Sequence, residues 1–348
     1  MSVAAQAGKA EGRGYPPSAY SWYVVGILYL AYVLAFVDRQ IMAFMVGPIR
    51  SDLGISDFQF SLVHGLAFVI FYSVLGVPIA RLADARNRRN LIAVGIGLWS
   101  VMTALCGMAG TFVHLFLVRL GVGVGEATLS PSAISLIADY FPREKRTLAI
   151  NIYSAGVHGG AGLANIFGGL VVAFAMTGGL ENVAVLGELR AWQVAFLLVG
   201  LPGLLMALLI LTVREPARRE RRAALEEQPA FRETLVYLRR HALLYGSLMF
   251  GAGFAALASY GAFSWVPAMY ERLYGWNAAE IGLRFGLVTI VLGTAGLVLS
   301  GYLAGVMTRA GRGAPHVTIM VASMACAAIP AAAMVSVHDP YWTLPASP

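Results

Sequence analysis

Long runs of uncharged, mostly apolar residues alternate along the chain with short polar segments. A helix needs about 20 such residues to cross the roughly 30 Å hydrocarbon core of a bilayer, and runs of this length predict nine membrane-spanning helices. The first run is too long for the apolar region of a cleavable signal peptide, and no small-residue cleavage site follows it. The predicted spans cover residues 20–45, 58–81, 90–111, 114–138, 147–174, 191–213, 242–270, 278–304 and 316–337.

The composition supports this interpretation. Hydrophobic residues make up 58% of the chain and charged residues only 12%, and the mean hydropathy is +0.71. Soluble domains carry about a quarter charged residues. The sequence therefore predicts an all-α integral membrane protein.

Lysine and arginine concentrate in alternate connecting segments, and such basic segments stay in the cytoplasm. If the N-terminus is cytoplasmic, nineteen of the 25 basic residues lie on the inside. Three lie outside and three fall within spans: Arg50, Arg190 and Arg272, then Arg39, Arg119 and Arg284. We therefore predict a cytoplasmic N-terminus in the inner (plasma) membrane of a bacterium. The net charge of +7 follows from this topology and gives no support to nucleic-acid binding.

Two segments of the chain resemble each other at a constant offset of 221 residues. "LGISDFQFSLVHG" introduces span 2 and "YGWNAAEIGLRFG" introduces span 8, so that Ser56 and Gln59 correspond to Asn277 and Glu280. Each pair is typical of a helix N-cap with a reciprocal acceptor three residues later. A repeat that separates spans 2 and 8 has six spans and keeps its orientation. Parallel repeats of this kind occur in transporters.

The repeat also predicts the domain organisation. We expect a cytoplasmic tail at 1–19, a six-helix bundle at 20–213, a cytoplasmic linker at 214–241 and a partial second bundle of three helices at 242–348. The natural protein should then have about three further helices. The linker ends in "FRETLVYLRRH", whose Phe231, Leu235 and Leu238 share one helical face. That pattern suits a helix on the cytoplasmic membrane surface.

Four charged residues are expected within spans 1 and 4: Asp38, Arg39, Arg119 and Glu126. A charge at the middle of a membrane helix costs about 2.5–3.5 kcal/mol on insertion scales. One explanation is that the four charges only neutralise one another. Buried ion pairs, however, often stabilise a protein no better than apolar residues do. We therefore interpret Asp38 and Glu126 as proton-coupling residues, and Arg39 and Arg119 as substrate-binding residues.

Span 4 should have two different faces. Glu126 follows Arg119 by seven positions and lies on the same face, which we expect to line a water-filled central cavity. Gly121, Gly125 and Thr128 lie roughly opposite and form a small-residue surface suited to close helix packing.

Span 5 carries Asn151, His158 and Asn165 at intervals of seven. This polar stripe either lines the cavity and binds substrate or forms hydrogen bonds with neighbouring helices. His64 in span 2 is interpreted as a packing histidine. Arg284 should reach the outer membrane interface, as long basic side chains do near helix ends.

The segment "ARLADARNRRNL" at 80–91 resembles the loop signature of the major facilitator superfamily, with Asp84, Arg88 and Arg89 matching the family pattern. "RLGVGVGEA" at 119–127 resembles the family's span-4 signature. "GGAGLANIFGG" at 159–169 partly resembles its span-5 antiporter signature, but Ala164-Asn165 replaces Gly-Pro. The combination of "FVDRQ" with "GVGEA" is similar to the Spinster branch.

This resemblance implies two parallel six-helix repeats, the second cut short after three helices here. It also implies gating by Asp84, Arg88 and Arg89, and a substrate such as a lysolipid or sphingosine phosphate. The expected partners are a small amphiphilic substrate, protons and membrane lipids, and the expected state is a monomer.

The leading hypothesis is a secondary transporter of an amphiphilic organic anion. Proton-linked efflux of drugs or other small molecules is the alternative. A membrane-embedded enzyme is disfavoured because the sequence has no HExxH, no GxSxG and no paired metal-ligand spacing. The sequence also has no GxxxxGK[ST] loop, which argues against an ATP-driven pump. No metal or other cofactor is expected, and Cys106 and Cys326, both in predicted spans, suggest no disulfide.

Overall fold

The computed structural model describes residues 15–177, 189–218, 231–311 and 317–326. The regular structure in these ranges is helical, and eight helices are long and apolar enough to cross a membrane. We number them spans 1 to 8: Ser18–Phe44, Asp57–Ala85, Arg88–Cys106, Phe112–Tyr140, Lys145–Met176, Ala191–Ile210, Ala242–Tyr274 and Ala278–Arg309. A shorter helix, Val317–Cys326, lies within the ninth predicted span. The rest of that span falls outside the described residues.

Several spans are not uniform α-helices. Span 1 ends in a 3₁₀ turn at Met42–Phe44, and a short helix, Val46–Leu53, follows. Span 2 contains a π-helical segment at Leu62–Ala67, between α-helices Asp57–Ser61 and Phe68–Ala85. Span 4 consists of Phe112–Glu126 and Leu129–Tyr140. The helix that contains span 5 begins at Arg143, and the linker contains helix Phe231–Arg240.

The predicted helix caps are present in the structure. The Ser56 hydroxyl accepts from the backbone N–H of Gln59 at 3.2 Å, and the Ser56 N–H donates to the Gln59 side chain at 2.9 Å. Asn277 accepts from the Glu280 N–H at 2.9 Å. The Glu280 carboxylate does not complete a second capping box, because it pairs with Arg284 at 2.9 Å.

Glycine faces bring the helix pairs into close contact. The most extensive packing joins spans 5 and 8, spans 1 and 5, spans 3 and 6, and spans 3 and 4. A Cβ added to Gly125 would lie 2.7 Å from the carbonyl oxygen of Gly95 in span 3, and one added to Gly121 would lie 2.7 Å from the sulfur of Met102. The small-residue packing face predicted for span 4 is therefore confirmed, and span 3 is its partner.

Spans 5 and 8 also pack closely through glycines. A Cβ on Gly286 would lie 2.5 Å from the carbonyl oxygen of Gly162, and the Cα atoms of Gly169 and Gly282 face each other across the same contact. Following the predicted topology, we call the end of the bundle with residues 45–57 and 271–278 the outer end. The inner end carries residues 84–89 and 139–146.

Replacing Gly95 by alanine should destabilise the protein, because the new methyl group would meet the carbonyl oxygen of Gly125 at 2.8 Å. Overpacking of this kind costs about 1–3 kcal/mol. The matched control is Gly97→Ala in the same helix, since a Cβ at Gly97 has no neighbour within 4 Å. We expect the melting temperature in detergent to fall for Gly95→Ala and to stay unchanged or rise for Gly97→Ala. Equal melting temperatures would contradict the packing described here.

Candidate functional site

The four intramembrane charges form two ion pairs that cross between spans 1 and 4. Arg39 donates from Nε and Nη2 to Oε2 of Glu126 at 2.6 and 2.5 Å. Arg119 donates from Nη1 to Oδ1 of Asp38 at 3.4 Å. Each span therefore supplies one cation and one anion. Asp38 and Arg39 reach different partners because consecutive residues of a helix point about 100° apart.

Burial distinguishes the members of the cluster. The side chain of Arg39 is 18% exposed, whereas Glu126 is 0%, Arg119 1% and Asp38 2% exposed. The expectation that the polar face of span 4 lines an open, water-filled cavity is therefore not met in this conformation. Span 2 covers that face, because Gly123 has no side chain: a Cβ there would lie 2.5 Å from the carbonyl oxygen of Phe68.

The close approach of span 2 places aromatic rings against the arginines. The guanidinium carbon of Arg39 lies 4.7 Å from the ring centre of Phe68, 5.1 Å from that of Tyr72 and 5.3 Å from that of Phe36. The guanidinium carbon of Arg119 lies 5.9 Å from the Phe68 ring. Guanidinium groups bind favourably over aromatic faces. The Phe68 ring therefore contacts both cations of the cluster.

Some polar atoms of the cluster have no hydrogen-bond partner in the part of the chain that the structure describes. These are Oε1 of Glu126 and Nε of Arg119, and both are buried. Both carboxylate oxygens of Asp38 have a partner, because Arg119 donates to Oδ1 and the Thr103 hydroxyl of span 3 donates to Oδ2. Unpaired buried polar atoms are costly. Glu126 is thus bound through one carboxylate oxygen only.

Thr103 and the aromatic residues of the cluster were not identified from the sequence. Phe68 and Tyr72 are four positions apart and stack at 5.3 Å, so their helical spacing was a usable signal. Tyr32 continues the aromatic surface through a stack with Tyr153 at 5.0 Å. Thr103 has no sequence pattern around it that would mark its hydroxyl as a partner of Asp38.

Asn151 and Asn165 of the polar stripe in span 5 are not part of this cluster. Asn151 is exposed, and Asn165 is fully buried. The Asn165 side chain donates to the carbonyl of Ala161 in its own helix at 3.1 Å, and its backbone packs against Gly282 of span 8. Asn165 thus lies at the contact between spans 5 and 8, but its side chain forms no hydrogen bond with a neighbouring helix among the described residues. The side chain of His158 lies outside the described residues.

The predicted gating residues lie at the inner end, and Arg88 is the most connected of them. Its Nη1 donates to Asp139 at 2.5 Å and to the Ser135 carbonyl at 2.9 Å, and its Nε donates to Glu215 at 2.8 Å. The guanidinium is only 1% exposed. Arg88 therefore joins span 3 to span 4 and to the segment after span 6. Asp139 and Glu215 were not identified from the sequence.

Arg89 and Asp84 are less enclosed. The Arg89 backbone N–H donates to Glu215 at 3.1 Å, and its side chain donates to Asn90 at 2.9 Å. Asp84 is exposed, and its backbone carbonyl accepts from Arg218. The contacts of the described residues include none between the Asp84 carboxylate and a helix of the second repeat.

Comparisons with known proteins agree with this architecture. The family model of the Major Facilitator Superfamily matches residues 28–347. The chain is 29% identical over 289 residues to an MFS-type efflux pump of Mycolicibacterium smegmatis and 25% identical over 313 residues to protein spinster of Drosophila melanogaster. It is also 23% identical over 297 residues to a probable L-galactonate transporter of Escherichia coli. The alignments cover 82%, 84% and 82% of this chain, but only 62%, 49% and 62% of the respective relatives.

Two solved structures of a bacterial homologue of the human lysosomal transporter Spinster also match. The inward-facing, occupied form has a TM-score of 0.78 and 30% identity, covering 94% of this chain and 70% of that one. The inward-facing, unoccupied form has a TM-score of 0.73 and 34% identity, covering 84% and 64%. The helical architecture, the sequence signatures and these matches agree. The chain belongs to the major facilitator superfamily and resembles its Spinster branch.

Proposed function

We propose that the protein is a proton-coupled secondary transporter that works by alternating access and moves an amphiphilic organic anion, such as a lysolipid or a sphingoid phosphate. The pair of Arg39 and Glu126 is the observation that carries the proposal. Its arginine side chain is 18% exposed, whereas its carboxylate is fully buried. An anion can therefore reach the arginine without first displacing the carboxylate from the protein interior.

The pair provides a route for coupling. When a substrate anion binds Arg39, it competes with Glu126 for the same guanidinium. A buried carboxylate that loses its counter-charge is strongly disfavoured, so Glu126 then takes up a proton. When the anion leaves, Arg39 again favours the ionised carboxylate and the proton is released. Substrate and proton therefore bind together through one shared cation.

Asp38 and Arg119 are proposed to support this exchange. Their separation of 3.4 Å is longer than that of the first pair, and the Phe68 ring contacts both arginines. Arg119 supplies a second positive charge to the substrate head group. Asp38 shares or relays the proton, and the two carboxylates titrate as a coupled pair.

The surroundings of Arg39 favour a substrate with both an anionic and an apolar part. The guanidinium can form two parallel bonds with a phosphate or carboxylate, and Phe36, Phe68 and Tyr72 supply an apolar surface beside it. Relatives named as hexuronate and galacturonate transporters support an organic anion as the substrate class. The similarity to protein spinster supports an amphiphile.

We also propose roles for polar residues of span 5 and of the inner end, which lie outside the charge cluster. Asn151 and His158 of span 5 are proposed to contact substrate on its way through the inner end. Asn165 lies between spans 5 and 8, so it reaches substrate only when these spans separate. Asp84, Arg88 and Arg89 are proposed to close the inner end in the outward-facing state.

Proton-coupled efflux of drugs or other small molecules is the second candidate. The similarity to an efflux pump over 289 residues favours it, and the mechanism would be unchanged. Arginine at the exposed position of the cluster favours anions over the cationic compounds typical of many efflux substrates. In either case we propose a monomer in a bacterial inner membrane with its N-terminus in the cytoplasm.

Glu126→Gln should abolish proton-driven transport, because glutamine cannot release or take up a proton. One proton moved down a gradient of about one pH unit is worth about 1.4 kcal/mol, or roughly tenfold accumulation of substrate, and this accumulation should be lost. Substrate binding should persist and depend less on pH. The measurement compares binding with uptake into liposomes between about pH 5 and 8 in the full-length transporter. Uptake by the variant that still follows an imposed pH gradient would exclude this role.

Arg39→Lys keeps the positive charge but loses the planar guanidinium, whose two parallel N–H groups are proposed to bind the substrate anion. Charge-assisted hydrogen bonds contribute about 1.5–3 kcal/mol each, so we expect the KM for substrate to rise about tenfold or more with normal expression. The matched control is Arg190→Lys, because Arg190 is 60% exposed in its pair with Asp52. Near-normal uptake kinetics of Arg39→Lys would rule out direct anion binding by Arg39.

A further inference from the structure

Span 7 contacts spans 1 and 2 through three consecutive residues, Phe263, Ser264 and Trp265. Nε2 of Gln40 donates to the carbonyl oxygen of Phe263 at 3.0 Å. Ser264 forms a hydrogen bond with Nε2 of His64 at 3.0 Å, and Trp265 packs edge-on against Phe60 at 6.2 Å. The segment 263–265 thus joins span 7 to two helices of the first repeat.

The Phe263 carbonyl needs a partner from outside its own helix. In an α-helix this oxygen would accept from the backbone N–H four residues later. That residue is Pro267, which lies inside span 7 and has no N–H to donate. A carbonyl without a partner is costly in a membrane protein interior. Gln40 is 6% exposed and supplies the missing donor.

Gln40 is also the residue that follows the charge cluster in sequence. Asp38 and Arg39 bind Arg119 and Glu126 of span 4, whereas Gln40 binds span 7. One turn of span 1 is therefore attached both to the proton-coupling pair and to the second repeat. A movement of the span 1 backbone at Arg39 would also move Gln40, because the two residues are joined by one peptide bond.

The outer end has a second contact between the same parts of the chain. Arg272 of span 7 pairs with Asp57 at 2.8 Å, and Arg50 pairs with the same carboxylate at 3.0 Å. The side chains of Arg272 and Asp57 are 41% and 46% exposed. Exposed ion pairs contribute little because water competes for both charges. The buried hydrogen bond of Gln40 should therefore stabilise the closed outer end more than this surface pair does.

A π-helical segment of span 2 lies at the contact between Gln40 and span 7. It covers Leu62–Ala67 and includes His64, whose ring stacks on Phe60 at 5.8 Å. Single π-helical turns in long helices occur frequently at functional sites. Here the irregular turn places His64 opposite Ser264, next to the Gln40 contact.

We propose that Gln40 is a positioning residue that couples the charge cluster to closure of the outer end, by occupying the carbonyl of Phe263 that Pro267 leaves without a helical partner. The coupling role rests on the proposed transport function. The closure itself does not, because it concerns the conformational equilibrium of the protein without substrate or proton gradient.

The test is a double-mutant cycle on the full-length transporter, combining Gln40→Ala with Pro267→Ala. Spin labels on cysteines at Ser51 and Leu273, after replacement of Cys106 and Cys326, report the opening of the outer end. We expect Gln40→Ala to raise the outward-open population about tenfold, which is the effect of losing roughly one buried hydrogen bond. The Pro267→Ala substitution restores the backbone N–H, so Gln40→Ala should have little effect in that background.

Two controls separate this role from a general loss of packing. Gln59→Ala removes an amide that bonds within its own helix and should leave the distances unchanged. Asp57→Asn weakens the surface pair and should change the outward-open population less than Gln40→Ala does. If Gln40→Ala does not fold, Gln40→Met tests the same contact with a side chain of similar size and no donor.

Distances that stay unchanged in Gln40→Ala or its methionine counterpart would overturn the proposal. So would an equal effect of the Gln40 substitution with and without Pro267→Ala. Neither result depends on transport. A protein that shows the expected cycle but no proton-driven uptake would support the closure and contradict the proposed function instead.

Discussion

The crossed ion pairs between spans 1 and 4 are the constraint on which the rest of the site depends. Four charges in a membrane interior are tolerated only if each has a partner of opposite sign. Arg39 with Glu126 and Arg119 with Asp38 meet this requirement and fix spans 1 and 4 relative to each other. Of these four side chains only Arg39 is partly exposed, at 18%, and we therefore propose that an anion from outside the cluster changes its charge balance.

The surrounding helices make this arrangement possible through small residues. Gly95 and Gly125 let spans 3 and 4 approach closely, and Gly123 lets span 2 place the Phe68 ring against both arginines. Span 7 contacts the first repeat at Phe263, Ser264 and Arg272. Under the predicted topology, these contacts lie in the part of the bundle nearer the outer end.

The sequence was sufficient for features that depend on local patterns. Apolar run length located the eight described spans, and helical spacing identified the packing face of Gly121, Gly125 and Thr128. The Ser56 and Asn277 caps followed from short-range signatures. Pairing between distant residues could not be derived in this way. Seven-residue spacing placed Arg119 and Glu126 on one face, but only the tertiary packing of span 1 assigns them to different partners. The Arg88 contacts with Asp139 and Glu215 were missed for the same reason.

We propose that substrate anion and proton bind together because the anion competes with the Glu126 carboxylate for the guanidinium of Arg39. Linkage requires that each then strengthens binding of the other. The test measures how many protons are exchanged when a lysolipid or sphingoid phosphate binds to the transporter. The sample is the detergent-solubilised, full-length wild-type protein in weak buffer near neutral pH, and a pH-sensitive dye reports the protons. The mechanism predicts uptake of about one proton per bound anion. Saturable binding with no change in bound protons across the same pH range would contradict it.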